Sequence, residues 1–404
     1  MRLLPEPQPA SPGRLPVEPV ITPPFALLLF TQGVFGLAFS LFFLLPKFLT
    51  RELAATGGQI GLTAALAPAA GVLGIPLIAV AVERFGRKRL VTLGATVAAM
   101  AAFGYLWVDR VGPLLITLRC VQGLAFSLAF NAAATLAADL APRARLSQAL
   151  GWFGVSFLAT NAAAPLIAEP IADHFGWKSV FLFSTGLTLL AALLSTRLIE
   201  PAHDQPRAGA RAVAPADDTI LAALLKPRVL AVCFGALVAG AGLGAVFTFH
   251  QPYALKLGAD RVGGFFLGYT AAAVLVRVLL GGLPDRVGRL RVGAASLGGY
   301  VVVVAAMGSL TPALLVPFGA AFGLVHGLMY PALNAVAVED ATDHQRGAVM
   351  SYFNGAFNLG VAGASLGLGY VADAFGYRVL FWLTAGVVLL ALPVLAWGRA
   401  SSRG

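Results

Sequence analysis

Apolar residues run in blocks of about twenty along this chain, and short polar breaks divide the blocks. About twenty apolar residues in a helix cross the hydrocarbon core of a bilayer. Matching runs against breaks predicts twelve spans, at 25–46, 57–82, 90–108, 112–138, 147–169, 179–198, 228–254, 263–283, 292–309, 312–338, 347–372 and 378–397. The first run is too long for a signal-peptide core, and no small-residue cleavage pattern follows it, so it is read as a retained helix. The longest polar stretch, 200–227, separates six spans from six. Residues 1–24 hold eight prolines and read as a disordered, polyproline-like tail, and 398–404 form a second short tail.

Composition agrees with this pattern. Hydrophobic residues make up 58% of the 404 and charged residues only 11%, against about 25% charged in a soluble domain. The fold class is an all-α membrane protein. The net charge of +10 comes from 28 Lys and Arg against 18 Asp and Glu. These cations cluster in the gaps between spans, which is a topology signal and argues against a nucleic-acid partner. With the N-terminus inside, inner segments hold 19 of the Lys and Arg residues, outer loops hold seven, and Arg119 and Arg277 lie within spans. Both termini and the central linker are therefore expected in the cytoplasm, in a bacterial inner membrane.

Catalytic chemistry finds no foothold. Cys120 and Cys233 lie in apolar runs and read as buried thiols, and no His, Cys, Asp or Glu spacing suits a metal. Neither a Ser/His/Asp set nor a phosphate-binding loop is present, and "GLGAVF" (242–247) sits inside a span rather than after a strand. No cofactor and no enzyme activity are expected.

The chain repeats itself. "IADHFGWKSVFLF" (171–183) aligns with "VADAFGYRVLFWL" (371–383) at an offset of 200, pairing Asp173 with Asp373 and Gly176 with Gly376. Gly123 pairs with Gly323 at the same offset. "VERFGRKR" (82–89) aligns with "LPDRVGRLR" (283–291), pairing Glu83, Arg84, Gly86 and Arg87 with Asp285, Arg286, Gly288 and Arg289. Two six-helix units, 25–199 and 228–397, in the same order and joined by a cytoplasmic linker are the parallel-repeat layout of a secondary transporter. The glycines permit a tight turn, the acid accepts hydrogen bonds from arginines or a helix N-terminus, and the cations hold the turn inside.

With these two loops the chain resembles the major facilitator superfamily, over essentially its whole length after the tail. That family carries GxLaDRxGRR between spans 2 and 3 and a weaker copy between spans 8 and 9. Here the second copy, "GGLPDRVGR", is the more complete, and the first has Ala79 for the glycine and Glu83 for the aspartate. The resemblance implies two pseudo-symmetric six-helix bundles and a loop that locks them together when the cytoplasmic side is closed. "RCVQG" (119–123) is similar to the R-x-x-Q-G of proton-coupled members. The antiporter run G-x-x-x-G-P is reduced to Pro165 among alanines.

Candidate contacts follow from polar groups inside spans. Arginine at mid-bilayer costs about 2.5–3.5 kcal/mol on insertion scales, so Arg119 and Arg277 should face a cavity or a partner. Span 1 offers no acid, and Glu169 sits near the outer end of span 5. The reading is a cavity with unpaired positive charge that takes an anionic cargo; arginines bonded to backbone carbonyls are the other reading. His326, Tyr330 and Asn334 form an i, i+4, i+8 stripe, and Asn354 and Asn358 an i, i+4 pair. Such stripes line a cavity or bond a neighbouring helix. Phe35 and Phe247 are candidate pocket walls. Arg119, His250 and Glu169 are the candidates for proton coupling, with packing the other role for His250.

The sequence thus predicts a secondary transporter, acting as a monomer, that moves a small anionic or amphipathic organic solute by alternating access, with protons as a coupling partner. Efflux of neutral lipophilic compounds or drugs is the alternative. A lipid-moving or sensor protein is the alternative from another class.

Overall fold

The computed structural model describes residues 20–142, 145–201, 218–339 and 341–400. Most of the proline-rich tail and linker residues 202–217 fall outside these, as do 401–404 and the side chain of Glu83. Among the described residues, twelve helices are long and apolar enough to cross a membrane. In chain order they are α1 (Pro23–Arg51), α2 (Gly57–Phe85), α3 (Arg87–Gly104), α4 (Pro113–Leu140), α5 (Leu146–Phe175), α6 (Trp177–Ser195), α7 (Pro227–Lys256), α8 (Gly263–Leu280), α9 (Arg289–Ala306), α10 (Leu315–Ala337), α11 (Asp343–Phe375) and α12 (Tyr377–Ala400). Each falls within several residues of its predicted span. The linker adds a short helix, Asp218–Leu224.

Local chemistry sets the ends. Thr56 and Gln59 form a capping box at the start of α2, and Thr342 and Gln345 form one at α11. Pro113 and Pro227 open α4 and α7, where a missing N–H costs nothing. Gly86, Gly176, Gly288 and Gly376 take φ of 82°, 78°, 111° and 83°. Only glycine adopts this region without strain, so each is the joint at which one helix stops and the next begins. Three of these joints follow a phenylalanine (Phe85, Phe175 and Phe375), and the fourth follows Val287.

The helices form two six-helix bundles, α1–α6 and α7–α12. The bundles meet at the end away from the linker, here the far end. There α2 crosses α11 and α5 crosses α8. A Cβ on Gly61 would strike the Ser365 carbonyl, and one on Gly369 the Gly57 carbonyl, so the backbones of α2 and α11 touch. Towards the linker end, Leu73 and Leu77 on α2, Trp152 on α5 and Leu275 on α8 are all exposed.

Candidate functional site

The far-end seal is polar and runs between the bundles. Lys47, on the last turns of α1, donates to Glu169 Oε1 at 2.7 Å and to the Asp260 carbonyl at 3.0 Å. Glu169, on α5, also accepts the backbone N–H of Val262 at 2.7 Å and of Gly263 at 2.9 Å. Its carboxylate therefore caps the start of α8, where the helix dipole favours negative charge. Asp373 on α11 does the same for α2, accepting Gly57 N–H at 2.6 Å and Gly58 N–H at 2.8 Å. Around these caps lie Gln251, which donates to the Phe43 carbonyl at 2.7 Å, and the Arg51–Asp260 and Arg261–Asp173 pairs at 3.5 and 3.4 Å. Beneath them Phe43 stacks on Phe266 at 5.8 Å and meets Phe247 edge-on at 6.0 Å.

At the linker end the following polar bonds lie within a bundle. Arg87 pairs with Asp139 at 3.3 Å, and Glu200 accepts Arg87 N–H at 2.8 Å and Lys88 N–H at 3.3 Å. In the second bundle Arg289 donates to Asp285 at 2.8 Å, and Arg228 pairs with Glu339. Arg84 and Arg286 are exposed. Among the described residues Glu200 holds the start of α3 and the Asp285–Arg289 pair lies at the start of α9; the side chain of Glu83, the acid of the first motif, lies outside the described residues.

Between seal and loops, the two walls differ in chemistry. In the first bundle, Phe39 stacks on Phe126 at 3.9 Å, and Phe126, Phe130, Phe153 and Phe157 continue the row at 5.4–5.6 Å. Phe35 is 3% exposed and backs this row from behind Phe126. Exposed Asn131, donating to the Ser127 carbonyl at 2.7 Å, adds a polar point. In the second bundle, Tyr330 donates to Asn354, and Asn358 donates to the Asn354 carbonyl at 2.9 Å. Asn354 and Asn358 lie eleven and seven residues before Ser365, three turns and two turns along the face of α11 that meets α2. His326 lies 5.8 Å from the Tyr330 ring and 5.9 Å from Phe357, and half-buried Asn334 follows one turn beyond Tyr330. Arg277 is exposed on α8, and its charge reaches Tyr269, His326 and Tyr330. Its guanidinium makes no hydrogen bond or ion pair among the described residues.

Three expectations need correction. Arg119 is not an unpaired cavity charge. It is buried between α4 and α2, donating Nε to the Thr63 carbonyl at 3.1 Å and Nη1 to Gln122 at 2.7 Å. The arginine and glutamine of "RCVQG" thus bind each other, and Tyr105 joins them at 3.3 Å. Glu169 does have a cationic neighbour, and it is Lys47 rather than either arginine. His250 is fully buried, bonded to the Val246 carbonyl at 2.7 Å with its ring 4.1 Å from Phe265. It packs the second bundle, and among the described residues it bonds no acid. The repeat contained Asp373 and Glu200 lies beside the predicted linker boundary, but nothing in the sequence marked either as a cap, because both bond backbone N–H groups.

Comparisons with known proteins agree with this architecture. A family model described as Major Facilitator Superfamily matches residues 28–341 and 259–403. "Multidrug resistance protein MdtG" of Salmonella typhimurium (strain LT2) is 26% identical over 334 residues, covering 80% of each chain, and its Salmonella choleraesuis counterpart aligns equally. Among solved structures, a variant of the nucleoside transporter NupG superposes with a TM-score of 0.79 at 13% identity, covering 93% of this chain and 99% of that one. A bacterial homolog of the human lysosomal transporter Spinster, inward-facing and occupied, gives 0.76 at 14%, covering 93% and 96%.

Proposed function

The chain belongs to the Major Facilitator Superfamily, and from that premise we propose that it carries a small amphipathic organic solute by alternating access. It is an integral, multi-pass transport protein. The excess of Lys and Arg at the linker end, 19 against seven, supports placing that end and both termini in the cytoplasm, in a bacterial inner membrane. On that orientation the far-end seal faces outwards, and the conformation described is open to the cytoplasm. The two bundles, 25–199 and 228–397, are the moving bodies, and the solute sits between them near the bilayer midplane. One chain supplies both walls, which supports action as a monomer.

The observation that carries this reading is the chemical difference between the walls. A row of phenylalanines on α1, α4 and α5 faces a second bundle that presents Arg277, Tyr330, Asn354 and Asn358. A flat apolar body stacks on the first wall, and a carboxylate or comparable anion meets the guanidinium at the second. Proton coupling, if it operates through a carboxylate, falls to Glu169, the buried acid that joins the moving surfaces; Arg119 and His250 are occupied elsewhere. Proteoliposomes with an imposed proton gradient test the proposal. Amphipathic aromatic acids should be carried, with flux dependent on the gradient. Absence of flux for acids, neutral lipophiles and cations alike would leave the lipid-moving or sensor alternative.

Export of lipophilic compounds is the second reading. The aromatic wall and the similarity to the Salmonella multidrug resistance proteins favour it. Arg277→Ala separates the two readings: loss of transport for acids only supports the first, and undiminished transport of both acids and neutral drugs supports the second.

A further inference from the structure

The first bundle buries an amide donor for which its own side chains provide no acceptor. Gln32, on α1, is 2% exposed, and its Nε2 has no hydrogen-bond partner among the described residues. Burying an amide in that condition is costly, and buried polar groups are as a rule bonded. The neighbouring Thr31 is equally buried, and its hydroxyl donates to the Leu27 carbonyl at 2.8 Å. A hydroxyl oxygen that donates once still has lone pairs with which to accept.

Both side chains line a cavity of about 10 Å³. It lies where four helices converge, with Phe35 of α1, Ala95 of α3, Ala129 of α4 and Ala191 of α6 among its walls. Every residue around it is at most 4% exposed. The volume is close to the least that holds one water molecule, and it does not hold two. Packing does not ask for polar groups here. Gly36 packs on Phe157, and Gly240 packs on Phe357, the residue that the repeat pairs with Phe157. On that register Gly235 and Ala236 of α7 stand where Thr31 and Gln32 stand on α1. Ala236 is fully buried, so the second bundle fills the corresponding place without a polar side chain.

An occupant must be the size of one water, accept a hydrogen bond from an amide and donate one to a hydroxyl. We propose that this cavity is a binding site for a single structural water, which accepts from Gln32 Nε2 and donates to Thr31 Oγ1. The site stands directly behind the solute wall. Phe35 lines it on one side and stacks on Phe126, at 6.0 Å, on the other. The aromatic row is therefore backed at this point by a hydrated contact and not by packed carbon alone.

The test is hydroxyl-radical labelling of the purified full chain in detergent by a brief X-ray pulse, read by mass spectrometry. Radicals formed from a water held in the cavity attack the side chains beside it. Phe35 should gain oxygen despite its 3% exposure. Gln32→Leu, similar in bulk and without the amide, should lose that label while remaining folded by circular dichroism. Ala191→Val, which adds two carbons at the cavity wall, should lose it too, and it serves if the Gln32 variant does not fold. Absence of label on Phe35 in the folded wild-type protein overturns the proposal, and so does a label undiminished in either folded variant.

Discussion

Glu169 and Asp373 hold corresponding posts in the two bundles: each carboxylate accepts two N–H groups from the first turn of a helix in the opposite bundle. One caps α8 from α5, the other α2 from α11, and the two caps are related by the pseudo-symmetry of the repeat. They are not equal, because Glu169 alone carries a buried lysine. Hydrogen bonds to a charged partner contribute about 1.5–3 kcal/mol each. Removing the charge by Asp373→Asn should shift the population of far-end-open molecules by about tenfold. Glu169→Gln also strands Lys47 and should shift it further. Spin-label distances across the far end give both populations, and an equal response of the two variants would remove the special role of Lys47.

Arg277 can be tested without fear of unfolding. Its side chain is exposed and makes no hydrogen bond or ion pair among the described residues. Arg277→Ala should weaken binding of an anionic solute by about 10- to 100-fold, the loss of one charge-assisted contact, and leave the unfolding temperature unchanged. Titration calorimetry with acid and ester forms of one compound measures this; only the acid should lose affinity.

Arg119 should behave in the opposite way. Truncating it leaves the Thr63 carbonyl and Gln122 short of a buried donor, at a cost of about 3 kcal/mol. Arg119→Ala is expected to lower the unfolding temperature while the folded fraction keeps its solute affinity. A stable variant with lost affinity would return this arginine to the binding site.

Gly61 lies where the backbones of α2 and α11 touch. Gly61→Val should hold the far end apart, since overpacking such a contact costs about 1–3 kcal/mol. Cysteine labelling from outside, in cells, should become about tenfold faster or more at positions beneath the seal; unchanged labelling would mean that the seal tolerates a wider crossing.

The architecture was largely legible because the bilayer allows only one reading of twelve long apolar runs. Local contacts were legible where side chain meets side chain: the spacing on α10 and α11 brings Tyr330 to Asn354. They were illegible where the partner is backbone. The Thr63 carbonyl that takes Arg119 and the N–H groups that hold Glu169, Asp373 and Glu200 belong to residues whose identities carry no trace of the bond. Lys47 was hidden for another reason. Pro46 reads as the end of the first span, whereas α1 runs on through a 3-10 turn at Leu41–Leu44 and a proline-started helix to Arg51.

Lys47 and Glu169 are both almost entirely shut off from water. Ions in that condition have given up their hydration, and the attraction between them only partly compensates. Once the first solvent molecules enter beside Asp260, each ion regains a shell and the rest of the joint loosens with it. A joint of leucines would resist wetting along its whole length. This one behaves like glue that water dissolves, firm while dry and self-releasing when breached, which suits a surface that must come apart once in every turnover.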